Sequence, residues 1–293
     1  MIPADLVSNL DYIELLTKRR MRNVLIGNHD SMLKGHGFDF AEHRAYVPGD
    51  ELRRVDWNVF ARTGDMHVKL THEEREIDVQ IVVDLSRSMD LGTARYSKRE
   101  VAFYIAATLA YSALADGIPV GLLGFTDRIE LDVPVHHSKA HLWKLLNALW
   151  SARPSSKSTD VAAVLHRLHQ RRRRLSMVFF VSDFLFATEV LELAHFKAIA
   201  AQHDVIPIVV SDRLEAQLPA GRGVVRLRDL EHGNQRLIRL GRSSRAAYSQ
   251  WVRDRDRALV GTFYRLNLDF VRVSTDQPFR DLIATLFLTR KRQ

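Results

Sequence analysis

The sequence predicts an α/β protein with a doubly wound, mostly parallel sheet, preceded by a small β-rich N-terminal module. From residue 78 onwards, short apolar runs alternate with segments of helical periodicity, which is typical of parallel strands joined by right-handed crossovers. Before that point, glycine and proline punctuate short, densely charged pieces, a pattern that favours turns and short strands. The length of 293 residues suits one large domain and a smaller one. We therefore predict domains at residues 1–76 and 77–293.

The N-terminal domain is expected to begin with a helix at residues 3–20, where leucine and isoleucine recur at helical spacing. Residues 25–76 predict a compact, irregular or β-rich module. The sequence Pro48-Gly49-Asp50 in this module predicts a turn, because proline presets one backbone angle and glycine permits a positive one.

The second domain alternates strands and helices in the order that a doubly wound sheet requires. The predicted strands are residues 79–84, 120–125, 129–135, 177–181, 205–210 and 268–273. The predicted helices are residues 97–116, 138–151, 160–173, 188–202, 243–266 and 278–290. Residues 129–135 alternate and are expected to pair with the preceding strand as a hairpin, and residues 224–240 predict two further short strands around a turn.

The composition excludes some classes of protein and leaves others open. The absence of cysteine excludes disulfides and cysteine-ligated zinc, and it fits a reducing cytoplasm. No apolar stretch reaches the roughly 20 residues that a spanning helix needs, so we predict a cytoplasmic protein without a transmembrane segment. The net charge of +8 is compatible with an anionic partner, but solvated basic faces would give the same value.

A pattern of oxygen-bearing side chains follows the first buried strand of the second domain. Asp84, Ser86 and Ser88 place one carboxylate and two hydroxyls on alternate residues of a loop. Oxygen donors of this kind suit a hard cation such as Mg²⁺. Thr159 and Asp183 lie at the ends of other elements and offer two more oxygens, although each is equally explained as a helix cap.

The set Asp84, Ser86, Ser88, Thr159 and Asp183 resembles the metal-ion-dependent adhesion site of von Willebrand factor A domains. The resemblance implies a bound Mg²⁺, with Mn²⁺ or Ca²⁺ as alternatives, and a coordination position open to an acidic residue of a protein target. The electrostatics agree, because two aspartates roughly neutralise a divalent ion while the neutral hydroxyls leave it able to attract a third carboxylate.

The N-terminal module resembles the signature of the bacterial "domain of unknown function 58" family, which joins that signature directly to a von Willebrand factor A-like domain. The matching residues are Gly37-Phe38-Asp39-Phe40, Arg44, Tyr46, Val47-Pro48-Gly49-Asp50, Arg53, Val55-Asp56-Trp57, Ala61-Arg62, Val68-Lys69 and Glu73-Glu74-Arg75. The resemblance implies a non-enzymatic adaptor that works with a MoxR-type AAA+ ATPase in the assembly or maturation of a protein complex.

Two interpretations of this signature remain open. Dense alternating charge is typical of a surface ion network, which would pin the module to the second domain with Trp57 as its apolar anchor. The alternative is a partner-binding face, for which the candidates are Arg44, Tyr46, Asp50, Arg53, Asp56, Trp57 and Arg62.

Two other functions compete with the adaptor. A nucleic-acid-binding protein would use the basic surface, but the sequence lacks the aromatic residues interleaved with basic strands that single-strand binders use. A metal-dependent phosphoester hydrolase would use Asp84, but Ser86 stands where such enzymes carry a second carboxylate as general acid. We therefore predict neither a nucleic-acid partner nor an enzymatic activity.

Overall fold

The structure is a computed structural model that describes residues 34–35, 39–72, 77–156, 158–170, 176–186, 194–228 and 235–277. Two compact units divide the chain, one within residues 22–76 and the other including residues 77–293. The predicted helices at residues 3–20 and 278–290 lie outside the described residues. Within the described part, no helix is long and apolar enough to cross a membrane.

The smaller unit is built on a three-stranded antiparallel sheet. Its strands are β1 (Lys34–Gly35), β2 (Asp39–Ala45) and β3 (His67–His72), in the order β1-β3-β2. Between β2 and β3 the chain forms a short helix, α1 (Trp57–Thr63), which ends at Gly64 with a φ of +76°, a left-handed termination that glycine favours. The β-rich prediction is confirmed, but it missed α1, because seven residues are too few to show helical periodicity.

The larger unit contains a six-stranded sheet in the order β11-β8-β7-β4-β5-β6. All neighbouring strands are parallel except β5 and β6. The strands are β4 (Asp78–Asp84), β5 (Val120–Phe125), β6 (Ile129–His136), β7 (Ser176–Ser182), β8 (Asp204–Ser211) and β11 (Val271–Ser274). This order and direction confirm the predicted doubly wound fold and the predicted hairpin at β6.

Helices connect these strands, and a separate hairpin precedes the last long helix. The helices are α2 (Lys98–Ala115), α3 (Lys139–Ser151), α4 (Val161–Gln170), α5 (Ala194–Gln202), α6 (Arg213–Ala216) and α7 (Arg242–Arg265). Strands β9 (Gly223–Arg228) and β10 (Gln235–Leu240) form a two-stranded antiparallel sheet, as predicted. The single-turn helix α6 was not predicted.

The core lies on both faces of the central strands. Most side chains of β4, β5, β7 and β8 are buried, because helices cover a parallel sheet on both sides and its strands are mostly apolar. The chain leaves β4 towards β5 on one side and later returns to β7 on the other. The carboxyl end of β4 is therefore the topological switch point, where open α/β sheets bind ligands.

Candidate metal centre

The loop after β4 brings the predicted carboxylate and hydroxyls together. Asp84 ends the strand with 0% of its surface exposed, and its Oδ1 accepts a hydrogen bond from the backbone N–H of Ser86 at 2.8 Å. A single 3₁₀ turn over Arg87–Asp90 follows and leaves the hydroxyls of Ser86 and Ser88 3.0 Å apart. The alternate spacing in the sequence thus converges on one buried point.

The end of β7 joins this cluster through Ser182. Its hydroxyl donates to Asp84 Oδ2 at 2.6 Å and accepts from the backbone N–H of Phe184 at 3.0 Å. Phe184 is buried with a φ of +51°, a conformation that is uncommon for a non-glycine residue. The sharp turn places Asp183 beside the cluster. The contact of Ser182 with Asp84 was not predicted, although the sequence shows Ser182 and Asp183 together at the end of the strand.

Thr159 lies at the same edge of the sheet, immediately before α4. The next residue, Asp160, donates its backbone N–H to the carbonyl of Thr126 at 3.1 Å, and Thr126 directly follows β5. The preceding residue, Ser158, donates its hydroxyl to Asp127 at 3.1 Å. Because β5 is adjacent to β4, the structure brings all three predicted segments to the carboxyl edge of neighbouring strands.

A buried lysine that the sequence analysis missed completes the site. Lys98, the first residue of α2, has no exposed surface, and its ammonium group donates to Asp183 Oδ2 at 2.6 Å and to Glu215 Oε1 at 2.5 Å. Glu215 comes from the unpredicted helix α6. A positive charge in the first turn of a helix is disfavoured by the helix dipole, and this was the one sign in the sequence that Lys98 has a special role.

The electrostatics of the cluster are dominated by burial. Burial, followed by the nearby charge of Asp183, raises the pKa of Asp84 to about 7. Hydrogen bonds from Ser182 and Ser86 oppose this rise. Burial acts to lower the pKa of Lys98, but Asp183 and Glu215 outweigh it and raise the pKa above its ordinary value. Lys98 is therefore a permanent cation at neutral pH.

The ionised cluster has more negative than positive charge. The carboxylates are those of Asp84, Asp183 and Glu215, and the ammonium group of Lys98 contacts the last two. Among the described residues no other cation contacts any of the three, so two negative charges lack a counterion. A divalent cation would balance this charge, and the serine hydroxyls offer the oxygen ligands that Mg²⁺ prefers.

This donor set fits a divalent cation that has oxygen ligands. Within the described residues, no three acidic, histidine or cysteine side chains form a metal-binding group, so an ion here would depend on hydroxyls and water. Because the positive charge of Lys98 lies against Asp183 and repels a second cation, the residues suited to direct contact are Asp84, Ser86 and Ser88, and Thr159 stays a predicted ligand. Asp183 would contribute its charge from a greater distance.

In the smaller unit, three signature residues are occupied in local structure. Arg44 pairs with Asp50 at 2.8 Å, and Asp50 also accepts from the backbone N–H of Val47 at 2.9 Å, which closes the predicted turn. The Arg44 guanidinium and this backbone bond hold the pKa of Asp50 below its usual value. Asp56 caps the first turn of α1 and contacts His43 Nε2 at 3.0 Å.

The other signature residues are accessible to a partner. Trp57 is 56% exposed and packs edge-on against the partly exposed ring of Phe60, and both interpretations of this residue stay predictions. Arg53 and Arg62 are exposed, and Tyr46 is half-buried. Trp57 begins a helix that the sequence analysis did not predict.

Residues 42–258 match the family described as "Protein of unknown function DUF58". That match spans more than half of the chain. The protein belongs to this family. Uncharacterized proteins of Mycobacterium tuberculosis (strain ATCC 25618 / H37Rv) and Mycobacterium bovis are each 34% identical to it over 230 residues, which is 78% of this chain and 72% of theirs.

Solved structures with similar folds include proteins of very different sequence. The conserved hypothetical protein BatB from Bacteroides thetaiotaomicron is 18% identical, with a TM-score of 0.45, over 73% of this chain and 99% of its own. The SpRpn10 VWA domain is 12% identical, with a TM-score of 0.40, over 71% of this chain and 94% of its own. The family assignment made from the N-terminal signature is confirmed by the family match over residues 42–258.

Proposed function

We propose that this DUF58 protein is a protein-interaction adaptor that binds an acidic residue of its target through Mg²⁺ at the carboxyl end of β4. We further propose that it works with a MoxR-type AAA+ ATPase in the assembly or maturation of a protein complex. The observation that carries the metal proposal is the buried carboxylate of Asp84, which lies beside two hydroxyls and has no cationic partner among the described residues. The ATPase follows from the family resemblance.

Lys98 has a defined role in this proposal. Its ammonium group neutralises part of the negative charge of Asp183, so the ion would face fewer fixed carboxylate charges than the number of acidic residues suggests. Since Asp84 would be the only carboxylate in direct contact and the hydroxyls are neutral, the ion keeps an attraction for a carboxylate that can contact it directly. The target would supply that carboxylate, and the bound Mg²⁺ would supply the electrostatic contact.

The proposal is tested first on the metal alone. The double variant Ser86→Ala/Ser88→Ala removes two oxygen ligands and leaves every charge in place, so we expect Mg²⁺ binding measured by isothermal titration calorimetry to weaken at least about tenfold. A matched control is Ser243→Ala/Ser249→Ala on α7, which has no connection with the site and is expected to bind as the wild type. Equal Mg²⁺ affinity in both double variants would exclude the hydroxyls as ligands.

A second experiment tests the partner. The purified protein and a MoxR-type ATPase of the same organism are mixed with Mg²⁺ or with a chelator, and their affinity is measured by biolayer interferometry. We expect chelation and Asp84→Asn to weaken a metal-mediated contact at least about tenfold. Tight binding that is unchanged by both treatments would place the ATPase contact elsewhere, and the exposed Trp57 would then be the first residue to substitute.

A further inference from the structure

A polar cavity that shares no lining residue with the candidate metal centre lies where the β9–β10 hairpin meets the beginning of α7. Its volume is ≈ 1030 Å³, which is at the upper end of the range for small-molecule sites, roughly 300–1,000 Å³. Four arginines line it, namely Arg222, Arg239, Arg242 and Arg245, and its described lining contains no acidic residue.

The rim of the cavity has a defined backbone. Gly221 and Gly223 have φ values of +112° and +143°, which strain any residue with a side chain. Arg245 donates from its guanidinium to the carbonyl of Gly221 at 2.8 Å and so fixes the loop to α7. Arg245 is therefore a structural member of the cluster, and its charge still faces the cavity.

The other three arginines have no such role. Among the described residues, Arg222, Arg239 and Arg242 form no ion pair and no side-chain hydrogen bond. Like charges held around one cavity repel each other, and this repulsion is relieved when an anion enters. Helix α7 adds to the positive potential, because it starts at the cavity with Gly241 as its N-cap and without a side-chain cap.

We propose that this cavity binds a phosphate-bearing ligand, with Arg222, Arg239 and Arg242 as its contacts. The planar guanidinium group matches the geometry of a phosphate and donates two parallel hydrogen bonds to it. The phosphate belongs either to a free phosphorylated small molecule or to a lipid head group. The lipid is included because Val224 and Leu237, on the outward face of the hairpin, are 63% and 70% exposed.

The experiment uses two probes and one triple variant. Pyrophosphate is titrated by calorimetry in the presence of a chelator, so that the metal centre does not contribute, and vesicles of phosphatidylglycerol or phosphatidylcholine are tested by co-sedimentation. Arg222→Gln/Arg239→Gln/Arg242→Gln is expected to weaken binding of the effective probe at least about tenfold. The single variant Arg242→Gln should also weaken binding of that probe, and circular dichroism checks that this variant is folded.

The control removes the same amount of charge outside the cavity. Arg236→Gln/Arg253→Gln/Arg257→Gln changes the opposite face of β10 and the exposed surface of α7, and it is expected to bind as the wild type. Selective loss in the cavity variant supports the proposal, with pyrophosphate binding assigning a free ligand and binding to phosphatidylglycerol alone assigning a lipid. No binding of either probe by the wild type, or equal behaviour of the two triple variants, would overturn it.

Discussion

Asp84 is a carboxylate with no exposed surface, and its partners within the described part of the chain are all neutral groups. Burying an ionised group without an opposite charge is costly, so this residue lowers the stability of the protein when no cation is bound. A residue retained at such a cost contributes something other than stability. The proposed Mg²⁺ site gives it a function, and that function makes the effect of substitution depend on the metal.

Asp84→Asn should therefore change the sign of its effect with Mg²⁺. Without the ion, and at a pH above the Asp84 pKa of about 7, we expect the variant to unfold at a higher urea concentration than the wild type, because an amide replaces a buried charge. With Mg²⁺ at about one hundred times its Kd, the wild type gains about 2.7 kcal/mol and the variant gains almost nothing. Urea unfolding of both proteins, with Mg²⁺ and with a chelator, measures the crossing. A variant that is less stable in both conditions would show that Asp84 has a purely structural role.

Lys98 presents the opposite case, since its charge is fully compensated. Lys98→Met removes the cation and leaves Asp183 and Glu215 unpaired, so we expect a loss of about 3–5 kcal/mol in the free energy of unfolding. Lys144→Met, an exposed lysine on α3, should change it by less than about 0.5 kcal/mol. Chemical denaturation at neutral pH compares the two. If Lys98→Met were as stable as Lys144→Met, the buried ion pairs would contribute nothing to the stability of the folded protein.

At the scale of elements, the packing of β5 against its neighbours depends on Gly121 and Gly124, where an added Cβ would collide with adjacent residues. A Cβ atom on Gly121 would lie 2.7 Å from Gln80 Oε1 and 2.8 Å from a methyl group of Val135. These distances are shorter than van der Waals contact, so the glycine allows the close approach of β4 and β6 to β5. The Gly-x-x-Gly pattern of this strand is thus a packing feature.

Gly121→Ala should destabilise the protein by about 1–3 kcal/mol, because overpacking forces neighbouring groups to move. Gly261→Ala in the interior of α7 should have the opposite effect, a gain of roughly 0.5–1 kcal/mol, since the nearest atom to its added Cβ is 3.9 Å away. Thermal unfolding of the two variants measures both signs. A neutral Gly121→Ala would mean that β6 is loosely packed on β5.

How much of the fold could be predicted follows from the length of its elements and the range of its contacts. Buried parallel strands read as continuous apolar runs, so β4, β5, β7 and β8 were located within one or two residues. Helix α6 has four residues, which show no periodicity. The partners of Lys98 lie 85 and 117 positions away, and a single sequence contains no signal that pairs charges over such distances.

At the scale of the whole molecule, Asp212 connects three distant parts of the chain. It follows β8, and it accepts from the hydroxyl of Thr93 and from the hydroxyl of Thr275, each at 2.6 Å. Burial acts to raise the pKa of Asp212, but these hydrogen bonds and others from the backbone outweigh it and hold the pKa below its ordinary value. The folded state therefore stabilises the ionised carboxylate of Asp212 relative to its protonated form.

The sign of the pH dependence follows from this shift. The stabilisation by Asp212 is fully present above its unfolded pKa of about 4 and is lost as the pH falls through its lower folded pKa. Asp212→Asn should cost about 1–3 kcal/mol at neutral pH and progressively less below about pH 4. Urea unfolding across this range tests it, with the exposed Asp254→Asn as control. A pH-independent difference would show that the carboxylate charge is not what stabilises the connection.

The position of β11 has a consequence for synthesis on the ribosome. β11 pairs with β8, yet β8 ends at Ser211 and β11 begins only at Val271. While the intervening chain is being translated, one edge of the apolar strand β8 has no partner. Unpaired strand edges recruit other chains, so during this interval the nascent protein is exposed to aggregation, and a chaperone that covers the edge of β8 would protect it.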